Sequence, residues 1–338
     1  MNIFYGIIGF LLINYPLHGF QETIKVEANE LKTLNLSEIA TSLESIVLEI
    51  PSEMGDRLVR DLAINEDYIF ALTINNRNGP DNSRLFQFLR SGKFVQEIGK
   101  STDSWNSLFF DKKSKIIGIN NGEKIFQYNF QGAFLREIKA IEIGQIVHNE
   151  KHYGVEINNI ALGKPVEYSL IQSNETGFSK KTIKKFKDNI NLGIGQYMQF
   201  SEHGIDLLIW NYIDHNFLLI KDNHIGVKYQ LDVDRSLKVT ANSMITGDWL
   251  ILPARNQMTR QNIIKFISLK SGESFSTLDR YDAGIIDDLS NSGFVKAYLS
   301  GLGDVENKVF FLKGVSDIES IKSDYPSRFK VLLIATLK

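Results

Sequence analysis

The sequence predicts an all-β protein, a six-bladed β-propeller made of four-stranded antiparallel blades. Three observations lead to this prediction: an internal repeat at an offset of 40 residues, further strand-like segments at similar spacing, and an apolar strand near the N-terminus that belongs to none of these units. A period of about 40 residues is typical of propeller blades. The composition agrees, since the 338-residue chain has 43% hydrophobic and 23% charged residues, as a globular protein does.

The repeat joins residues 85–98, LFQFLRSGKFVQEI, to residues 125–138, IFQYNFQGAFLREI. Each copy alternates apolar and polar residues, reaches a turn and continues as a second strand, so each is predicted to be a β-hairpin. Gly92 and Gly132 occupy the same place in the two copies and are expected to supply a positive φ. Another strand pair precedes each copy, at 62–72 and 108–119. Each unit therefore contains four strands.

Weaker copies follow down the chain and complete the ring. They are predicted at 143–185, 197–231, 243–278 and from about Phe294 onward. The last unit ends one strand short, whereas the strand 45–50 precedes the first unit, so we expect it to pair with 331–335 and close the ring. The alternative architecture is a large sandwich or an open stack of sheets. The predicted organisation is a signal peptide at 1–20, an N-terminal extension at 21–42 and the propeller at 43–338.

The N-terminal residues and two short segments carry local signals. Residues 3–13 are apolar and uncharged, which is the length of a signal-peptide core; an uncleaved anchor or a buried terminal element is the alternative. The sequence thus predicts an exported protein without a membrane span in the mature chain. Two short helices are predicted, one at 37–42 capped by Ser37, and one at 315–325 with Ser316 and Glu319 in a capping box.

Two terminal stretches and the hairpin pattern support a family resemblance. The opening LSEIATSLESIVLEI, the ending RFKVLLIATLK and the repeated hairpin resemble the exported six-bladed β-propeller proteins abundant in Bacteroidota, over about residues 34–338. Residues 100–105, KSTDSW, depart from the Gly-Pro-Gly-Glu-like turn that often follows a blade in that family. Many members carry a lipid-modified Cys, and this chain has no Cys. The resemblance implies a periplasmic or cell-surface protein that is not a lipoprotein, and it implies no reaction.

Charge and motifs exclude several classes of function. The chain has 38 Lys and Arg against 40 Asp and Glu, a net charge of −2, so no global field attracts nucleic acid. Without Cys there is no thiol nucleophile and no thiolate metal site. The sequence contains no G-x-S-x-G, P-loop or H-E-x-x-H motif. The expected partner is a small molecule, a glycan or a protein ligand, and whether the protein is an enzyme stays open.

Three polar segments invite functional interpretations. His148 and His152 flank a predicted hairpin and are interpreted as surface histidines. The segment 232–236 begins like a calcium loop but has Leu237 and Ser243 where that loop needs Gly and an acid. No cofactor is required, and an irregular calcium site is left open. Five lysines at 180–187 predict either a charged outer strand that blocks aggregation or a patch for an acidic glycan or phosphate.

The candidate ligand-binding residues stand where loops converge on the channel mouth. Loops at one end of a propeller meet near its axis, so side chains far apart in sequence can form one site there. The predicted residues are Arg57, Arg60, Trp105, Tyr197, Arg255, Tyr281, Asp282, Asp287 and Asp288.

The leading hypothesis is an exported binding or interaction module whose ligand, a glycan or small molecule, lies at the channel mouth. The alternative is a carbohydrate- or lactone-active hydrolase or lyase that uses the acidic loop 281–293, with or without a divalent ion. A third hypothesis is a docking platform with an exposed apolar patch on a flat face. Catalysis requires at least two of the charged candidates within hydrogen-bonding reach. Otherwise Asp287 and Asp288 are expected to cap a turn before Gly293.

Overall fold

The structure is a computed structural model that carries side chains. It describes residues 21–52, 54, 57–74, 83–102, 107–121, 123–139, 143–148, 151–159, 166–174, 180–188, 198–203, 206–212, 214–221, 224–240, 242–280, 282–298, 302–303, 306–318, 324, 326 and 329–338. The predicted signal peptide lies outside these residues. Within them, no helix is long and apolar enough to cross a membrane.

The N-terminal segment runs along the outside of the ring. Strand β1 (Glu22–Val26) lies parallel to the outermost strand of blade four. The chain then crosses blade five, where the Lys32 amide donates to the Ser276 carbonyl at 3.1 Å. The remaining elements are β2 (Leu34–Asn35), helix α1 (Leu36–Ile39) and β3 (Ala40–Leu48). We call residues 22–48 the belt, because they pass blades four and five and end in blade six.

Helix α1 is shorter than the predicted 37–42, and its cap differs. Asn35, not Ser37, is the N-cap residue, and Glu38 completes a capping box with it. The helix ends at Ile39 because Ala40 takes extended dihedrals and begins β3. The sequence signal for a capped turn was right, but the position of the cap was wrong by two residues.

Five blades follow in chain order, each an antiparallel meander whose first strand is innermost. Blade one contains β4 (Leu58–Ile64), β5 (Tyr68–Ile74), β6 (Ser83–Leu89) and β7 (Phe94–Thr102); blade two contains β8 (Ser107–Asp111), β9 (Ile116–Asn120), β10 (Lys124–Asn129) and β11 (Phe134–Lys139). Blade three contains β12 (Ile143–His148), β13 (Lys151–Asn159), β14 (Val166–Ser173) and β15 (Lys180–Asp188); blade four contains β16 (Met198–His203), β17 (Asp206–Asn211), β18 (Asn216–Lys221) and β19 (His224–Val233). Blade five contains β20 (Leu237–Val239), β21 (Met244–Thr246), β22 (Trp249–Asn256), β23 (Asn262–Ser268) and β24 (Ser274–Leu278), with β20 and β21 both pairing β22.

A small extra sheet stands between blades five and six. It consists of β2, β25 (Ile285–Asp287) and β26 (Gly293–Val295). Blade six contains β27 (Ala297–Tyr298), β29 (Lys308–Gly314), β30 (Lys330–Leu337) and the belt strand β3, and the two-residue strand β28 (Leu302–Gly303) pairs with β4 instead. The described residues therefore hold seven sheets: the six predicted blades and this three-stranded one. The strand expected near Phe294 belongs to the extra sheet.

The ring closes as predicted, through the N-terminal strand. Strand β3 is antiparallel to β30, and Ile46 lies opposite Leu332 and Val47 opposite Val331. The alternatives of a sandwich and an open stack are therefore wrong. The N-terminal strand extends over nine residues, Ala40–Leu48, so it begins earlier than the predicted 45–50. Part of the predicted extension is thus a propeller strand.

The two ends of the ring differ in what they present. The innermost strands β4, β8, β12, β16 and β21 contact one another in sequence around the axis. We call the end where these strands begin the front face and the opposite end the back face. Strand β28 lies parallel to the last residues of β4, opposite Ala63 and Ile64. It therefore occupies the channel side of blade one near the back face.

The 40-residue repeat preserves polar contacts as well as the hairpin. In blade one, the Arg84 side chain donates to Glu97 at 2.7 Å, and in blade two Lys124 makes the equivalent pair with Glu137 at 2.7 Å. A buried glutamine follows the same rule. Gln87 accepts from Gln96 at 2.8 Å, and Gln87 also donates to the Phe130 carbonyl of blade two at 2.6 Å. In blade two, Gln127 accepts in the same way from Arg136 at 3.0 Å. The repeat therefore preserves polar contacts within each blade, and Gln87 also links blade one to blade two.

Other predictions on polar segments have mixed outcomes. Strand β15 is the outermost strand of blade three, as the lysine-rich run predicted. His148 and His152 flank the β12–β13 hairpin, but His152 is buried and its ring lies 5.8 Å from that of Phe109. The interpretation of His152 as a surface residue is therefore wrong. Of the predicted helix 315–325, the structure shows a 3-10 helix at Val315–Asp317, and most of the rest lies outside the described residues.

A lysine is buried beneath the belt in blade five. Lys265 has no exposed surface and lies between Ile263 and Ile267 on the face of β23 that packs toward blade four. Its ammonium donates to the Ser276 hydroxyl. Burial lowers the pKa of Lys265 to about 8, although the Glu27 carboxylate of the belt opposes this shift. Keeping this charge in the core costs folding free energy.

We expect Lys265→Met to raise the free energy of unfolding by about 2 kcal/mol at neutral pH. Because its pKa is lower in the folded chain, the unfolded chain binds this proton more tightly. The gain should be complete below about pH 8 and disappear as pH rises toward the ordinary lysine value of 10.5. Urea unfolding of both proteins across this range measures the difference. Lys270→Met, at an exposed position, is the control, and a gain independent of pH would contradict the account.

Candidate functional site

The topology places the described candidate residues at the front face. Arg57 directly precedes β4, Arg255 lies near the end of β22, and the acidic loop connects blade five to blade six. In an antiparallel meander these positions share one end of the sheet. Of the other candidates, Arg60 is half-buried on β4. Trp105, Tyr197 and Tyr281 lie outside the described residues.

Arg57 heads a row of polar side chains across the front of blade one. Its Nε donates to the Thr73 hydroxyl at 2.9 Å, and Thr73 donates onward to the Arg84 carbonyl at 3.2 Å. Arg84 in turn pairs with Glu97. Burial lowers the pKa of Arg57, as does the neighbouring Arg84 charge, while Glu97 opposes both. The row fixes the guanidinium beside the innermost strand, where it can meet a ligand at the mouth.

Asp287 holds the acidic loop together from inside. Its carboxylate is buried and accepts backbone hydrogen bonds from Leu289 at 3.1 Å and Ser290 at 2.9 Å. The hydroxyls of Ser290 and Ser292 also donate to it. These four bonds close the turn before Gly293, which has a φ of +76°. The carboxylate is thus engaged on both oxygens by its own loop.

Asp288 and Asp282 point to different partners. Asp288 accepts from the Ser37 amide at 2.9 Å and the Ser37 hydroxyl at 2.5 Å, which ties the loop to helix α1 of the belt. Burial raises the pKa of Asp288, but the Ser37 donors outweigh burial and leave the pKa below its ordinary value. Asp282 forms a two-point pair with Arg280, at 2.8 and 2.7 Å, which lowers the pKa of Asp282.

The charged candidates are not brought together as a catalytic group would be. Among the described residues, no hydrogen bond or ion pair joins any two of Arg57, Arg255, Asp282, Asp287 and Asp288. A general acid at neutral pH needs a raised pKa, whereas the pKa values of Asp282 and Asp288 are lowered. The described part of the acidic loop is therefore built as a structural connection between the belt and blade six.

Blade five presents two neighbouring cations, of which the sequence analysis identified one. Strands β20 and β21 both pair with β22 and together form the inner edge of blade five. Lys238 on β20 lies directly opposite Arg255 on β22, and both side chains are exposed. Arg255 was a candidate, but Lys238 was missed. The missing signal was register: only the pairing of β20 with β22 shows that these two residues, 17 positions apart, are neighbours. The hairpin beyond them carries Met258, which is 80% exposed.

Blade four adds aromatic side chains at the same end of the ring. The hairpin between β17 and β18 places the His215 ring parallel to that of Trp210, with ring centroids 6.3 Å apart. The His215 ring also makes an edge-to-face contact with Tyr212 at 5.9 Å. Burial lowers the pKa of His215, although Asp214 opposes the shift. Trp210 is fully buried, while Tyr212 and His215 are half-buried. The half-buried His215 and Tyr212 rings give this hairpin an aromatic surface on which a sugar ring or an apolar ligand can rest.

The described residues contain no group of three or more His, Asp or Glu side chains arranged to hold a metal ion. In the segment that begins like a calcium loop, the Asp234 carboxylate accepts from the amide and hydroxyl of Ser236, at 2.7 and 2.6 Å. This carboxylate closes a turn directly before β20.

Comparison with known protein families agrees with the architecture. The chain belongs to a family described as a 6-bladed β-propeller, whose model matches residues 16–275. The six four-stranded blades correspond to this description, and the three-stranded sheet of β2, β25 and β26 accounts for the seventh sheet. No curated protein matches the chain.

Solved structures share the fold at low sequence identity. A Bacteroides fragilis protein inferred to be exported matches with a TM-score of 0.61 and 13% identity, over 94% of this chain and 99% of the other. The propeller domain of the trilobed protease of Pyrococcus furiosus matches with a TM-score of 0.39 and 10% identity, over 76% of this chain and 77% of that domain. Prolyl oligopeptidase B of Galerina marginata matches with a TM-score of 0.45 and 10% identity, over 78% of this chain and 39% of that enzyme. At these values the two peptidases say nothing about the activity of this chain.

Proposed function

We propose that this protein is an exported binding module that holds a small molecule or glycan at the front mouth of its channel. The observation that carries the proposal is a difference between the acidic and the other polar side chains at this face. The described acidic side chains of the loop are engaged by the chain's own donors, whereas cationic and half-exposed aromatic side chains are what blades one, four and five present. Such groups recognise ligands without needing a reactive carboxylate.

The geometry favours binding over the acid–base alternative. Hydrolysis of a glycoside uses two carboxyl groups in fixed positions around the scissile bond, one of them with a raised pKa. Here Asp287 is enclosed by its turn and Asp288 is bound by Ser37. Each would have to give up these hydrogen bonds before it could serve a substrate. Export is supported by the family resemblance and by the apolar N-terminal stretch.

The back face also supports a ligand that enters from the front. Strand β28 lies on the channel side of β4 near the back face, so this end of the axis is narrowed by backbone. The tip of the β17–β18 hairpin at the front is held by the Gln230 side chain, which donates to the carbonyls of Asp214 and His215 at 2.9 and 3.3 Å. Preformed surfaces lose little entropy on binding.

A thermal-shift screen with neutral and acidic oligosaccharides, amino acids and short peptides tests the proposal, because a ligand of the native state raises the melting temperature. For any hit, Arg57→Gln is expected to weaken binding about tenfold, through loss of a charged contact. Lys270→Gln, an exposed residue in the back-face hairpin of blade five, should leave binding unchanged. The proposal fails if no compound shifts the melting temperature, or if both variants weaken binding equally.

A further inference from the structure

The paired cations of blade five are an unfavourable arrangement for stability. Lys238 and Arg255 are direct cross-strand partners, which places their Cβ atoms about 4.5–5.5 Å apart. Like charges in this position destabilise a sheet. Among the described residues, neither side chain forms an ion pair with a carboxylate. The repulsion is therefore left uncompensated at a position on the inner edge of blade five, beside the mouth.

The surrounding hairpin holds these cations in place. The Arg255 Nε donates to the Arg260 carbonyl at 3.3 Å, and within the described part of the chain its terminal nitrogens donate no hydrogen bond. The Gln257 amide and side chain donate to the carbonyls of Ser236 and Arg235, at 2.7 and 3.0 Å. These bonds fasten the tip of the hairpin to the turn that precedes β20. Charged groups on such a rigid support are suited to bind an anion with little reorganisation.

We infer that Lys238 and Arg255 form an oxyanion site, and that the ligand of the front mouth carries a carboxylate, sulfate or phosphate group. This inference rests on the proposed function and names the class of its ligand. A planar guanidinium binds two oxygens of such a group at once, and the ammonium adds a point charge. A bound oxyanion would also neutralise the like-charge pair, so the stability lost in the free protein is regained in the complex.

Isothermal titration calorimetry with four probes tests the site. Oligogalacturonate supplies carboxylate, sulfated dextran supplies sulfate and inorganic phosphate supplies phosphate, while neutral dextran of similar length is the uncharged control. At least one oxyanion should bind the wild-type protein more tightly than about 1 mM. Lys238→Gln/Arg255→Gln should weaken this binding about 10- to 100-fold, and the double variant should unfold at an equal or higher temperature. Weakened binding is then not a consequence of misfolding.

The matched control removes two lysines from the outer strand of blade three. Lys181→Gln/Lys185→Gln changes the net charge equally, and both residues are exposed on β15. Its affinity for the probe should stay within about twofold of wild type. The inference is overturned if no oxyanion binds, if the control weakens binding as much as the test variant, or if the test variant binds as tightly as wild type. A neutral ligand that depends on Arg57 but not on Lys238 and Arg255 would leave the proposed function standing and remove this inference alone.

Discussion

Gly92→Ala is expected to lower the free energy of unfolding by about 3 kcal/mol or more. Gly92 has a φ of +90°, and a Cβ placed on it would lie 2.0 Å from the carbonyl oxygen of Val47 in the belt. Backbone cannot move aside as a flexible side chain can. Blade one would have to separate from β3, and the bond from the Glu49 amide to the Gly92 carbonyl, at 3.0 Å, would be lost with it. Chemical unfolding measures the effect.

Two other hairpin glycines provide matched controls. Gly272 has a φ of +74° in the equivalent hairpin of blade five, and nothing lies within 4 Å of its added Cβ. Gly272→Ala should therefore cost only the backbone strain, about 1–2 kcal/mol. Gly132→Ala meets the side-chain amide of Gln96 at 2.4 Å, which can shift, so an intermediate loss is expected. Equal losses at Gly92 and Gly272 would show that the contact with the belt contributes nothing.

Asp287→Ala is expected to destabilise the protein by about 3 kcal/mol. The substitution leaves two backbone amides and two hydroxyls of the turn without their acceptor, and the Ser292 side chain among them is buried. The loss of each such hydrogen bond costs about 1 kcal/mol. Asp287→Asn keeps one oxygen to accept the two amides and should lose only about 1 kcal/mol. Thermal and urea unfolding of the two variants give these values.

Asp282→Ala is the control for this loop. Asp282 is exposed and, among the described residues, pairs only with Arg280 two residues away, and an exposed pair of this kind contributes little. The melting temperature of Asp282→Ala should stay close to that of the wild type. If Asp287→Ala were equally neutral, the turn would not depend on this carboxylate, and a role for Asp287 at a ligand would regain support.

Strand order was predictable because its signals are local or repeated. The alternation in 85–98 and its copy at 125–138 identified the outer strands of blades one and two, and the unpaired strand before blade one identified the closure. The extra sheet was not predictable in the same way. Strands β2, β25 and β26 have two or three residues each, too few to show a period. Strand β2 joins the hairpin of β25 and β26 only because the belt passes the acidic loop.

The end of the ring where the candidate residues lie was predictable, but the residues that they contact were not. Residues before inner strands and in long connections were expected at one face. Arg57 before β4, Arg255 near the end of β22 and the acidic loop after β24 all lie at the front end of their blades. A sequence pattern cannot show that Asp288 binds Ser37 across 251 positions, or that Lys238 faces Arg255. These contacts depend on register between segments, which only the folded chain defines.

The belt has a consequence for the order in which the molecule can assemble. Residues 40–48 are synthesised well before residues 330–337, with which they pair. Throughout synthesis this apolar segment has no strand to join, and contacts across so long a separation form slowly. The ring can therefore close only after residues 330–337 have been made, and removal of residues 330–338 should leave β3 without the strand that it joins.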